Sequence, residues 1–139
     1  MGNGDSYVLD SFALIGYLEN EPFAQEIEDL LYRAKNNISR LYLHALHLGE
    51  VYYITLREQG QDLADLAYSR IKGFPINFVS VIDEELLLTA AALKANYSIS
   101  YADSFAAALA RIKNASLLTG DPEFRHLEEV GVLKLSWLE

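Results

Sequence analysis

The sequence predicts an α/β fold built on a mostly parallel sheet. Short apolar runs recur along the 139 residues and alternate with longer segments of helical spacing. Two of these runs lead into an acidic residue, Asp10 and Asp121, which places both at the carboxyl edge of the sheet, where such folds bind ligands. At 51% hydrophobic residues the chain has the size and composition of one domain. We therefore expect residues 1–139 to form one unit, with residues 1–6 as a flexible leader.

Helix breakers and helix caps set the boundaries in the first half of the chain. Pro22 suits the first turn of a helix, because its missing N–H would be unpaired there. Gly60 suits the left-handed turn that follows a helix. The predicted elements are a strand at 7–9, helices at 12–18 and 22–35, a strand at 41–43, and helices at 45–58 and 61–72.

The second half of the chain continues the alternation. Asp83 and the two glutamates after it favour a helix start, since negative side chains complement the first turn. The segment from Asp103 to Lys113 has so many small and apolar residues that we expect a helix buried on most sides. The predicted elements are a strand at 76–81, helices at 83–95 and 103–113, a strand at 116–119, a short helix at 123–129 and a fifth strand at 132–135.

Composition excludes several classes of function. The chain has no cysteine, which rules out disulfides and thiolate chemistry and suits a reducing compartment, so we expect the cytoplasm. Its formal charge of −9, from 11 basic and 20 acidic residues, argues against a broad electrostatic surface for nucleic acid. Any contact with nucleic acid must therefore be local or mediated by a metal. No apolar run is long enough for a membrane helix.

Three aspartates stand at the starts of predicted helices. Asp10 and Asp121 follow apolar strands, and Asp103 opens the alanine-rich helix. Each has an ordinary explanation, since an aspartate at a helix start caps the helix or complements the partial positive charge of its first turn. Taken singly, none of them requires a functional role.

Glu50 is different because it shares a largely apolar helix face. The residues three and four positions away on that face are Leu46, His47, Tyr53 and Ile54. A carboxylate there costs free energy unless it is paired with a group from elsewhere in the fold or bound to a metal. With three aspartates expected near one edge of the sheet, we favour a metal cluster formed by Asp10, Glu50, Asp103 and Asp121.

Carboxylate oxygens favour Mg²⁺ or Mn²⁺ over zinc as the bound ion. These ions activate water for attack on a phosphodiester and stabilise the charge on the leaving oxygen. Ser11 and Thr119, next to cluster acids in the sequence, would orient water or phosphate, although helix capping explains both equally well. We expect His44 and His47 to be structural rather than metal ligands.

Four short motifs together resemble a known family. They are Val8-Leu9-Asp10-Ser11, Leu48-Gly49-Glu50-Val51, Tyr101-Ala102-Asp103, and Leu118-Thr119-Gly120-Asp121-Pro122-Glu123-Phe124. In this order and context the chain, from about residue 7 to residue 135, is similar to PIN-domain proteins, and most similar to the VapC-type toxin ribonucleases. Each motif is weak alone, and their combination carries the resemblance.

The resemblance implies a fold, an activity and partners. The sheet order would be 3-2-1-4-5, in a three-layer α/β/α arrangement, and the activity that of a Mg²⁺- or Mn²⁺-dependent endoribonuclease acting on RNA. The family also implies a homodimer and an antitoxin protein that inhibits the toxin. By position, Asp10, Glu50, Asp103 and Asp121 would be the catalytic, metal-binding acids, with Thr119 as a hydroxyl neighbour. Ser11 fits as an auxiliary residue, and Glu123 as an accessory acid.

Two alternatives remain open from the sequence. The first is a catalytically weak or inert PIN-like module that binds a partner protein and keeps its acids for capping. The second is an aspartate-phosphorylating α/β domain, which is disfavoured because Phe12 stands where a dehalogenase-like phosphatase needs a second aspartate. The apolar faces of the helices at 22–35 and 61–72 would serve a dimer, an antitoxin groove or simply the core.

Overall fold

Five parallel strands form one sheet in the computed structural model, which describes residues 5–139. The strands are β1 (Ser6–Leu9), β2 (Arg40–His44), β3 (Asn77–Val79), β4 (Ser116–Thr119) and β5 (Leu135–Trp137). Their order across the sheet is β3-β2-β1-β4-β5, and every neighbouring pair is parallel. The structure therefore confirms the sheet order implied by the resemblance.

Helices cover both faces of this sheet. They are α1 (Ser11–Leu18), α2 (Ala24–Lys35), α3 (Ala45–Gln59), α4 (Gln61–Lys72), α5 (Glu84–Asn96), α6 (Tyr101–Ile112) and α7 (Arg125–Glu129), with a 3-10 turn at Pro122–Phe124. Alternating residues of β1 point into two separate apolar cores, Val8 towards α5 and α6, and Leu9 towards α1, α2 and α3. The arrangement is the expected three-layer α/β/α fold.

Pairing of β1 with β4 sets the carboxyl edge of the sheet near the candidate site. Leu9 lies opposite Leu118 in this pair, so the next residues, Asp10 and Thr119, emerge side by side. Both strands are buried, which is why they read as short continuous apolar runs rather than alternating ones. The register thus brings two distant sequence motifs to one point.

Pro22 does not lie in the first turn of α2, contrary to the sequence prediction. The amide of Ala24 donates to the carbonyl of Glu21, so Pro22 occupies a separate turn and the helix begins at Ala24. This turn inserts the ring of Phe23 against Gly16 of α1, in the core. Burial of an aromatic ring therefore outweighs the local preference of proline for the first helical position.

The start of α6 also differs from the prediction. Ser100, rather than Asp103, caps this helix, and its Oγ accepts a hydrogen bond of 3.1 Å from the Asp103 amide. Asp103 therefore lies inside the first turn, with a carboxylate that the cap does not use. The expected burial of the helix is confirmed, because Ser104 and all the residues after it up to Ala110 are buried.

The fifth strand was predicted too early. It spans Leu135–Trp137 instead of residues 132–135, while Leu133 packs into the core before the strand begins. The third strand is shorter than predicted. Burial alone made the apolar residues at 132–135 resemble a strand, whereas backbone pairing with β4 starts only when the chain reaches the sheet.

The amino-terminal residues show where the fold begins. Ser6 is the first residue of β1, and Asp5 forms an ion pair with Arg33 of α2. Residues 1–4 of the predicted leader lie outside the described residues. Within residues 5–139, none of the helices is both long and apolar enough to cross a membrane.

Candidate metal centre

Asp10 lies at the end of β1, with only 3% of its surface exposed. Its Oδ1 accepts a hydrogen bond of 2.9 Å from the Ala13 amide, so this residue does cap α1. Burial raises the pKa of its carboxyl from 3.8 to about 7, and the nearby charge of Asp121 adds to the increase, although the hydrogen bond from the Thr119 hydroxyl acts against it. Capping and a strongly perturbed pKa coexist at this residue.

Asp103, Asp121 and Glu123 form a compact acidic triad. One carboxylate oxygen from each lies within 4.8 Å of the others. Asp121 caps the 3-10 turn by accepting a hydrogen bond of 3.0 Å from the Glu123 amide, which brings its carboxylate and that of Glu123 together. Within residues 5–139, no other set of three acids or histidines meets this distance limit.

Asp103 connects this triad to the other two acids. Its pKa is raised from 3.8 to about 7, first by burial, then by the charges of Asp121 and Glu123, and further by those of Asp10 and Glu50. Four other carboxylates therefore act on the Asp103 carboxyl, and the charges that raise its pKa are all negative. Mutual repulsion of this kind is relieved when a cation binds.

Glu50 lies on the second turn of α3, half-buried. Burial raises the pKa of its carboxyl, and a hydrogen bond with the Ser11 hydroxyl partly offsets the increase. Its Oε1 is buried and has no hydrogen-bond partner among residues 5–139. A buried acceptor without a donor costs free energy, and a bound cation would remove that cost.

The two hydroxyl residues support the acids as well as the turns. Thr119 is fully buried, and its Oγ1 accepts a hydrogen bond of 3.0 Å from the Asp121 amide while its hydroxyl reaches the Asp10 carboxylate. It thereby fixes two acids relative to each other. Ser11 follows Asp10 and sits beside Glu50. Helix capping therefore does not fully explain these two hydroxyl groups, because each also contacts the carboxylate of a candidate site residue.

The histidines are structural, as expected. His44 caps α3, with Nδ1 accepting a hydrogen bond of 3.0 Å from the Leu46 amide. His47 is fully buried and its Nε2 lies 2.8 Å from the carbonyl oxygen of Ala102. Neither belongs to the acidic triad.

The residues present fit a hard divalent cation. The donors are all carboxylate oxygens, one of them is a buried oxygen without a partner, and two of the carboxyl groups have pKa values raised to about 7. Sequence reasoning treated Glu123 as an accessory, whereas the geometry puts it in the tightest group. The available signal was its spacing, two residues after Asp121 with a helix-starting proline between them.

A comparison of the sequence with protein-family models gives the same family as the four motifs quoted above. The family model described as PIN domain matches residues 7–130. This range covers most of the chain and contains all five acids. A search of curated protein sequences gave no match.

Two solved structures with the same fold are described as VapBC proteins. VapBC2 from Rickettsia felis, bound to a DNA fragment from its promoter, matches with a TM-score of 0.76 at 16% identity and covers 96% of this chain and 99% of its own. VapBC-1 from nontypeable Haemophilus influenzae matches with a TM-score of 0.69 at 21% identity, over 95% and 97% of the two chains.

A third structure with the same fold is described as a VapC toxin. VapC20 from Mycobacterium tuberculosis, described as a toxin that cleaves the sarcin–ricin loop, has a TM-score of 0.65 at 16% identity, over 87% of this chain and 94% of its own. At these identities the structures show a shared fold, while the family model shows membership. The chain belongs to the PIN-domain family and has the fold of the VapC toxins.

Proposed function

We propose that this protein is a metal-dependent endoribonuclease, the toxin of a toxin–antitoxin pair. The observation that carries the proposal is the convergence of five carboxylates at the carboxyl edge of the sheet, with the buried Glu50 Oε1 lacking a partner among residues 5–139. Asp10, Glu50, Asp103 and Asp121 would hold Mg²⁺ or Mn²⁺, with Glu123 as a fifth acid. RNA is the proposed substrate, in the cytoplasm.

The proposed ion and the side chains that would surround it have different roles. When bound, a divalent cation supplies positive charge and Lewis acidity towards a phosphodiester. Thr119 contacts the Asp10 carboxylate with its hydroxyl and accepts a hydrogen bond from the Asp121 backbone amide, which fixes the chain at Asp121 relative to Asp10. Ser11 orients Glu50. Because the chain carries a net charge of −9, the attraction for an RNA phosphate comes from the ion rather than from lysine and arginine.

RNA cleavage with and without metal tests this proposal. Wild-type protein is incubated with a mixed single-stranded RNA in Mn²⁺, in Mg²⁺ and in EDTA, beside Asp103→Asn, which keeps the shape of the side chain but removes its charge. We expect cleavage only with metal, and a loss of at least about a hundredfold in the variant, since removal of a group that supports the reacting charge typically costs that much. Equal cleavage by the variant, or cleavage in EDTA, would overturn the assignment.

One observation favours the inert binding module as the second candidate. Asp10 and Asp121 both cap helical turns, so capping alone explains why an aspartate stands at each position. Capping does not explain Glu50, which caps nothing. Calorimetric titration with Mn²⁺ separates the two candidates, because an inert module has no divalent-ion site that is lost in Glu50→Gln.

The proposed antitoxin has a suitable surface. A groove lined by apolar and polar side chains of α1, α3 and α4 continues through Ile15 and Glu19 into a cavity that Asp121 also lines. Leu66 is 55% exposed in this groove. The sequence offered the apolar faces of α2 and α4 for such a partner. The apolar face of α2 is buried in the core, whereas α4 has exposed apolar residues.

Glu19 and Glu21 line the cavity, and Arg70 lines the groove. The two glutamates suit a partner segment that is apolar with basic residues at the cavity end. We expect the proposed antitoxin to co-purify with the wild-type chain when the two proteins are expressed together. Leu66→Asp would abolish co-purification without changing RNA cleavage. If Leu66→Asp still co-purifies with the partner, the antitoxin does not bind in this groove.

A further inference from the structure

His47 links the two helices that carry Glu50 and Asp103. It lies on α3, one turn before Glu50, and is fully buried. Its Nε2 is 2.8 Å from the carbonyl oxygen of Ala102, the residue directly before Asp103 in the first turn of α6. A single side-chain hydrogen bond therefore joins the turn of one acid to the turn of the other.

The sheet does not fix this distance directly. α3 follows β2 and α6 precedes β4, and these two strands are not neighbours, because β1 lies between them. Strand register places each helix relative to β1 but leaves the gap between α3 and α6 to side-chain contacts. The bond from His47 to Ala102 spans that gap at the level of the acids.

The chemistry of the bond fixes the state of the imidazole. A carbonyl oxygen can only accept, so Nε2 carries the proton and donates. Nδ1 is then the unprotonated nitrogen; it is buried and has no partner among residues 5–139. The start of α3 is capped separately by His44, so the two histidines have different roles on this helix.

The hydrogen bond joins the two helices at the level of the acids that they carry. Glu50 lies one turn after His47 on α3, and Asp103 follows Ala102 directly on α6. Like-charged carboxylates repel one another, so a contact that holds the two helices together also sets the spacing of these acids. We propose that His47 is a positioning residue that holds Glu50 and Asp103 at the spacing a divalent ion requires. The inference rests on the proposed metal site and extends it to a residue that touches neither ion nor RNA.

The test compares the Mn²⁺ affinity of three variants by calorimetry. His47→Leu removes the donor, His47→Gln retains an amide N–H at a similar reach, and Leu133→Ala is a matched control that weakens the core far from α3. We expect His47→Leu to weaken Mn²⁺ binding by about tenfold or more, the usual cost of losing a supporting hydrogen bond around a metal site. His47→Gln should stay within about threefold of wild type, and Leu133→Ala should lower the melting temperature without changing Mn²⁺ affinity.

Each other outcome has a defined meaning. Unchanged affinity in His47→Leu, or equal weakening in the Gln and control variants, would overturn the positioning role while leaving the metal site intact. Absence of Mn²⁺ binding in the wild-type protein would overturn the proposed function itself, and the positioning role with it. If His47→Leu does not fold, His47→Asn replaces it, since the shorter amide cannot reach Ala102.

Discussion

Asp10 shows at the residue scale how a site residue can cost stability. Its pKa of about 7 means that the fold favours the neutral carboxyl, whereas an unfolded chain ionises it near 3.8. A carboxyl whose pKa is raised by folding loses stability as the pH rises above that unfolded value, and the loss is complete above the folded value. At pH 8 the metal-free protein therefore holds an unfavourable buried charge.

Asp10→Asn should stabilise the metal-free protein at pH 8. The amide has the same shape, and its Oδ1 retains the Ala13 cap. We expect the free energy of unfolding to rise by up to about 4 kcal/mol, the equivalent of the rise in pKa from 3.8 to about 7, measured by urea denaturation in EDTA. Added Mn²⁺ should stabilise the wild type and leave this variant unchanged. A variant less stable than the wild type in EDTA would show that the carboxylate is not strained.

His47 should make the protein sensitive to mild acid. Burial lowers the pKa of its imidazole from 6.5 to about 4, so between these values the unfolded chain binds a proton that the folded chain does not. Stability therefore falls as the pH drops through this window and is unaffected above it. Relative to the non-titrating His47→Gln, the wild type should lose about 2 kcal/mol between pH 7 and pH 5.

Paired urea denaturation curves of both proteins at these pH values measure that loss. The comparison with the variant cancels the contributions of the carboxyl groups, which titrate in both proteins. A constant difference between the two proteins across the window would contradict the low pKa.

Gly120, at the element scale, allows α1 and β4 to approach each other before Asp121. A Cβ at this position would lie 2.5 Å from the Phe12 ring and 3.1 Å from the backbone oxygen of Leu138. The ring can rotate, but the backbone oxygen cannot move without disturbing the end of β5. Gly120→Ala should therefore destabilise the protein by about 1–3 kcal/mol.

Gly49→Ala is the matched control for this substitution. Gly49 is exposed in the middle of α3, and nothing lies within 4 Å of a Cβ there. Alanine should stabilise the helix by about 0.5–1 kcal/mol. Thermal melts of both variants measure the contrast, and a Gly120→Ala variant that melts at or above the wild-type temperature would contradict the close approach.

Most helices and strands followed from local patterns, because the parallel strands are short, apolar and bounded by caps. α4 and β4 have the predicted bounds, and Asp10 stands at the predicted strand end. The errors arise where tertiary contacts decide. Phe23 displaces the start of α2, and the pairing with β4 delays β5 to Leu135.

The sequence predicts which residues belong to the candidate site better than it predicts how they are arranged. Strand-end aspartates and a glutamate on an apolar face are visible in the sequence. That Ser100 takes the capping role and leaves the Asp103 carboxylate free depends on backbone geometry at the helix start. The entry of Glu123 into the tight triad depends on the 3-10 turn, and the link from His47 to Ala102 joins residues 55 positions apart. Local sequence patterns carry no information about such contacts.

At the scale of the whole molecule, exposed apolar residues near the start of α5 suit the homodimer that we propose from the resemblance. Val81 is 68% exposed and Leu88 is 59% exposed. Apolar side chains that cluster on a surface commonly mark a protein interface. We expect sedimentation equilibrium to give twice the chain mass for the wild type and the mass of one chain for Leu88→Lys. A dimer that persists in this variant would place the interface elsewhere.

The central claim is that the carboxylates at this sheet edge bind a divalent metal ion. The most direct measurement is anomalous X-ray scattering from crystals soaked in Mn²⁺, which locates the ion without any assay of activity. We expect one or two peaks at about 2 Å from carboxylate oxygens, with Asp103 and Asp121 among the ligands and Glu50 or Asp10 completing the set. No peak at this edge, or peaks only on acidic surface residues elsewhere, would contradict the account.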